Sequence, residues 1–176
     1  GIPMAKIITA FREKQTAHQI AAALEASGLS VFRVCVTGNE VVRAFNQCSD
    51  GILVCGTAFV DRTADSLCED LGERALMLVV GRPERLSLCE NPALFRLASP
   101  FTRSELIASV NMLVQLHAQR LPRRSGEERD LVERAKKKLM EERQLTEEQA
   151  HRLLQSESMR HGVKMTESAR RVLENA

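Results

Sequence analysis

The chain has 176 residues, enough for one domain of ordinary size and a small second one, and its 44% hydrophobic content can supply a real core. No apolar run reaches the length of a membrane span, and no secretory leader is seen; Gly1-Ile2-Pro3 before Met4 reads as an appended stub. A formal charge of +2 neither requires nor excludes a polyanionic partner.

The five cysteines, Cys35, Cys48, Cys55, Cys68 and Cys89, are odd in number and form no C-x-x-C pair. Several sit in apolar runs, which predicts reduced, buried thiols in a cytoplasmic protein. Neither they nor His18, His117, His151 and His161 show the close spacing of metal ligands, so no metal or cofactor is expected.

From Lys6 to about Leu121 the pattern alternates strand and helix. Residues 6–10 predict a first buried strand, followed by an Ala-rich helix over 14–27 that Gly28 closes. A second strand over 31–36 precedes a helix containing Val41 to Phe45. The third strand, over 51–55, leads to a helix near 64–71. The fourth, over 75–80, leads to a short helix near 84–88. The fifth covers 94–98, and Thr102 then caps a long last helix. Repeated βα units with short connections imply a parallel sheet covered on both faces. The expected fold class is α/β, with five strands in flavodoxin-like order.

That architecture, with Ser99-Pro100-Phe101 after the fifth strand, resembles the receiver domain of two-component response regulators. The resemblance implies an acidic pair after the first strand, where Ala10 and Phe11 stand here. It implies a phosphoacceptor aspartate at the end of the third strand, where Cys55 or Gly56 falls. The hydroxyl expected after the fourth strand is replaced by Val80-Gly81, and the lysine before the proline by Ser99. Phosphoryl transfer to a carboxylate needs a metal held by oxygen ligands. Asp50 precedes the third strand, and Asp61 and Asp65 lie beyond it. A degenerate pocket is therefore expected, and residues 4–121 should serve as a pairing or docking platform. The resemblance also implies a cis peptide at Ser99-Pro100.

Leu106, Val110, Leu113 and His117 form an apolar stripe with two readings: packing on the domain's own sheet, or a coiled coil between subunits. Pro122 and Gly126 bracket Arg123-Arg124-Ser125, which predicts a hinge over 122–126 rather than one unbroken helix. Arg123 and Arg124 could meet phosphates or simply face water.

The remainder, 127–176, predicts three short helices. The first, from about Glu127 to Arg143, turns Leu131, Ala135 and Leu139 to one face. Thr146 caps the second, with Glu147, Glu148 and Gln149 in its first turn; it points Ala150, Leu153, Leu154 and Met159 inward and stops at Gly162. Thr166 caps the third, which buries Ala169, Val172 and Leu173. Such short helices need one another to bury their apolar faces, so a compact bundle follows.

Ala135-Lys136, Leu139-Met140, Thr146, Glu148, Ala150, Leu153, Ser158-Met159, Ala169 and Leu173 make the segment resemble an ANTAR domain, an RNA-binding antiterminator module. Lys137 stands where that family often has glycine, and His151 where an aromatic usually follows the alanine. The resemblance implies binding of hairpins in leader transcripts by a homodimeric regulator, with a regulatory or sensor protein as a further partner and no membrane role. The residues expected to meet RNA are Lys136, Lys137, Arg152, Arg160, His161 and Lys164. Their cations would neutralise phosphates, and His151 or His161 could stack on a loop base. The alternatives are a DNA-binding response regulator and a regulator acting through protein contacts alone. No phosphate-cradling glycine loop, no nucleophile with its base and no catalytic carboxylate pair is present, so no enzyme is expected.

Overall fold

The computed structural model describes residues 5–175, with the backbone alone at residues 121–125. The chain divides into two compact units, Gly1–Gln119 and Arg120–Ala176.

The first unit is a five-stranded sheet of β1 (Ile7–Ala10), β2 (Val31–Cys35), β3 (Gly51–Cys55), β4 (Ala75–Gly81) and β5 (Phe95–Ala98), in the order β2-β1-β3-β4-β5. All neighbouring strands run parallel. The crossovers contain α1 (Lys14–Ala26), α2 (Gly38–Cys48), α3 (Ala64–Leu71) and the single-turn α4 (Pro83–Leu86); α5 (Arg103–Arg143) follows β5. This is the flavodoxin-like arrangement that the alternating pattern implies.

Successive strand residues point to opposite faces, so one sheet supports two cores. Ile8, Leu53 and Met77 pack with Phe45 and Leu67 on one face. Ile7, Ile52 and Leu78 pack with Leu24, Leu106 and Leu113 on the other. Both faces being covered is why β3 and β4 read as unbroken apolar runs. Of the two readings of the α5 stripe, packing on its own sheet is the one observed: Leu106, Val110 and Leu113 are buried there. His117 is buried at the end of that stripe, with Nε2 2.8 Å from Asp50 Oδ1.

Helix α2 starts at Gly38, earlier than its apolar residues suggest, because its first amides have acceptors. Thr37 Oγ1 accepts from Glu40 N at 3.1 Å, and the Asp61 carboxylate accepts from Gly38 N at 2.9 Å and Asn39 N at 2.8 Å. Desolvation pushes the Asp61 carboxyl up, but these amides, with Arg62 beside it, outweigh that and hold it below the usual carboxylate range.

In the second unit the C-terminal turns of α5 pack with α6 (Glu147–His161) and α7 (Met165–Glu174) around Ala135, Leu139, Ala150, Leu154 and Ala169. Thr146 and Gln149 form a capping box at the start of α6, and Gly162 ends it at φ 63°.

Three expectations are corrected. The segment 122–126 does not break the chain: α5 runs from Arg103 to Arg143 as one helix. An interior proline removes one donor and crowds the carbonyl four residues before it, which weakens a helix locally without having to end it. The side chains of Arg123 and Arg124, proposed for phosphates, and residues 1–4, which include the expected stub Gly1-Ile2-Pro3, lie outside what the structure describes. Helix α7 begins at Met165 with Lys164 as its N-cap residue, two positions before Thr166. Met159 is 79% exposed; Ser158, one helix turn beyond Leu154, takes the inward position.

Candidate nucleic-acid interface

The apolar core of the bundle leaves two concavities on its surface. One, of about 320 Å³, has Leu139, Leu154 and Val172 in its wall, with Arg143, His161 and Arg171 around it. The other, shallower and about 420 Å³, lies among Arg143, Leu145, Gln149, Arg152 and Leu153. Arg143 and Leu153 belong to both, so the two form one groove that the last residue of α5 spans. Arg143 is exposed, and among the described residues no carboxylate pairs with it.

The residues singled out from sequence separate into different environments. Lys136 is only 7% exposed. Its Nζ lies 2.7 Å from Glu133 Oε1 and 3.4 Å from Glu147 Oε1. The hydrogen bond to Glu133, against the opposing effect of burial, holds its pKa above the ordinary lysine value. Lys136 therefore spends its charge inside the bundle. Lys137 and Lys164 are exposed, and among the described residues neither has a carboxylate partner. Arg152 lines the shallow half of the groove, 2.6 Å from Glu148. His161 lines the deeper half, 3.2 Å from Glu157, while Arg160 is exposed and 3.7 Å from the same carboxylate. His151 is exposed. Lys136 is thus set apart from the groove that Arg152 and His161 share.

Arg143 and Arg171 are groove residues that were not among those expected to meet RNA. A signal for Arg143 was present: Val132, Lys136, Leu139 and Arg143 recur at i, i+4, i+7 and i+11, one stripe of the helix. That stripe carries Lys136 into the bundle and brings Arg143 to its surface edge.

In the first unit, the positions of the expected degenerate pocket gather at the carboxyl ends of the strands. Phe11, Gly56, Gly81 and Ser99 line an open cleft there of about 590 Å³. Ala10 and Cys55 pair across β1 and β3 just beneath it, both wholly buried. Burial drives the Cys55 thiol pKa far up, with Cys89 and Cys68 nearby adding to the effect, so it is no nucleophile. The nearby aspartates are engaged elsewhere: Asp61 caps α2, and Asp65 accepts from the Glu90 and Asn91 amides at 2.9 and 3.1 Å. The peptide Ser99-Pro100 is cis. Among the described residues no cluster of ligating side chains suited to a metal ion occurs, and no helix is long and apolar enough to cross a membrane.

The ANTAR domain family model matches residues 123–173. This segment is an ANTAR domain. Ahead of it the first unit has the receiver fold. Similar solved structures include the DrrB receiver domain, at 16% identity and TM-score 0.52 over 64% of this chain and 99% of that one. A response regulator receiver protein from Sinorhizobium medicae matches at 16% identity and TM-score 0.55, over 65% and 98%. The anti-anti-sigma factor PhyR from Bartonella quintana matches at 18% identity and TM-score 0.53, over 68% of this chain and 52% of its own. A search of curated proteins gives no match. The ANTAR domain here therefore includes the end of α5, α6 and α7, and the Arg143 groove lies within it.

Proposed function

We propose that this protein is a cytoplasmic RNA-binding antiterminator that holds hairpins in nascent leader RNA through the Arg143 groove. The observation that carries the reading is the placement of Arg143, without a carboxylate partner among the described residues, beside both a deeper cavity of mixed polar and apolar lining and a shallow, largely apolar trough that Arg152 also lines. Arginine suits this position because its planar guanidinium binds phosphate in two-point fashion and stacks on bases. Loop bases of a hairpin are unstacked and can enter a cavity such as the one walled by Leu139, Leu154 and Val172. The segment 127–176 has no Phe, Tyr or Trp, so guanidinium planes and His161 must provide the stacking. Arg152, Arg171, Arg160, Lys137 and Lys164 add phosphate contacts, and Lys136 contributes by holding the bundle together.

The action is mechanical: RNA held as hairpins is kept from refolding into a terminator. The receiver-fold unit serves pairing of subunits or docking of a partner rather than phosphorylation. Two ANTAR domains in a dimer would hold two hairpins, and avidity would offset modest single-site affinity. Helix α7 suits duplex DNA poorly, because it has only ten residues and places Glu167 in its first turn, where a recognition helix would face base edges and phosphates. Competition between a labelled two-hairpin RNA and unlabelled nucleic acids tests the reading. Hairpin RNA should displace the label and duplex DNA at equal phosphate concentration should not; equal displacement by both would overturn it.

A further inference from the structure

We propose that the cleft of the receiver-fold unit binds a small organic phosphate monoester without covalent transfer. In a doubly wound sheet, ligands bind beyond the carboxyl ends of the strands, at the point where the strand order reverses. With the order β2-β1-β3-β4-β5, that point lies between β1 and β3, and the cleft is built there.

The charge around it suits an anion. Arg12 comes from the loop after β1, Arg82 is the N-cap residue of α4, and Arg85 lies within that single-turn helix. All three are exposed, and among the described residues none is paired with a carboxylate. Glu13 is the one carboxylate in the lining, so three guanidinia against one carboxylate leave a local charge of 3 − 1 = +2. A divalent cation is repelled by that balance, whereas a phosphate dianion is attracted.

Two other features add to this. Thr16, Thr57 and Ser99 bring hydroxyls to the same lining. The 13-residue α1 begins there, and its N-cap residue Glu13 makes no side-chain bond to its first amides. Phe11, Ile20 and Phe101 supply apolar surface, which calls for a carbon skeleton or a ring attached to the phosphate. The volume of about 590 Å³ fits a mononucleotide-sized molecule. Occupancy by such a ligand, in place of a phosphoryl group, would set the state of this unit. The inference rests on the first unit alone and stands whether or not the second binds RNA.

The test is calorimetric titration of the full chain with AMP, inorganic phosphate and adenosine as probes. AMP should bind with a Kd on the order of 0.1 mM, phosphate more weakly and adenosine more weakly still. The Arg82→Ala/Arg85→Ala double variant, altered only at exposed side chains, should weaken AMP about tenfold or more. Arg43→Ala, at an exposed arginine outside the cleft, should leave binding unchanged. Thermal unfolding of each variant checks that folding is intact. Failure of both AMP and phosphate to bind, adenosine binding as tightly as AMP, or wild-type AMP affinity in the double variant would each overturn the proposal.

Discussion

Lys136 Nζ lies 3.4 Å from Glu147 Oε1, tying the last turns of α5 to the first turn of α6 across the connection between them. The lysine is 7% exposed, whereas the Glu147 and Glu133 side chains are 71% and 58% exposed. Solvent screens such a pair, so the charge itself should contribute only about 0–1 kcal/mol. The buried stem matters more. Lys136→Met should cost little, and Lys136→Ala, which removes three methylenes, about 2 kcal/mol in urea unfolding. RNA affinity per folded molecule should stay near wild type in both.

The Ser158 and Ser168 hydroxyls lie 2.9 Å apart in the buried seam between α6 and α7, and Ser158 Oγ is also 2.8 Å from Leu154 O. Each hydroxyl has one proton. Ser158 can therefore donate to the carbonyl while accepting from Ser168. Ser168→Ala should destabilise the bundle by about 1 kcal/mol, and a double-mutant cycle with Ser158→Ala should show coupling above about 0.5 kcal/mol.

Asp61 offers a pH-dependent prediction. Its carboxyl is held low, against desolvation, by the Gly38 and Asn39 amides and by Arg62. A depressed carboxylate contributes stability in full above its unfolded pKa of about 3.9, and loses it as pH falls through the lower folded value. Asp61→Asn should cost roughly 0.5–1 kcal/mol at neutral pH and flatten the acid limb of the stability profile below about pH 4. An unchanged acid limb would show that Asp61 is not bonded to α2 in solution.

The receiver-fold unit should not take up phosphate covalently. Cys55 is buried with its thiol pKa far raised, and Asp61 and Asp65 are committed to backbone amides. Incubation with acetyl phosphate and magnesium should give no acid-stable or acid-labile phosphoryl adduct by intact mass. A single magnesium-dependent addition would contradict this.

The sheet was legible because its strands are buried on both faces and so read as apolar runs broken by turns. Gly28 closing the first helix and Thr102 capping the last marked element ends, whereas the caps Thr37 and Thr63 emerged only in the structure. The continuity of α5 was not legible: Pro122 and Gly126 are local punctuation, and a 41-residue helix is a cooperative outcome of what flanks them. The site was half legible. Charge alone cannot distinguish Lys136, turned into the bundle, from Lys137 beside it on the outside. Stripe position can, and it would also have pointed to Arg143. The inward Met159 failed for the same reason in reverse, since an apolar type at an outward position stays outward.

Titration of a two-hairpin leader RNA against the full chain and its Arg143→Ala/Arg152→Ala variant tests the central claim most directly, with salt varied at each protein. The groove reading predicts at least about tenfold weaker binding and a salt slope shallower by roughly two phosphate contacts. Wild-type affinity with an unchanged salt slope in the double variant would contradict it.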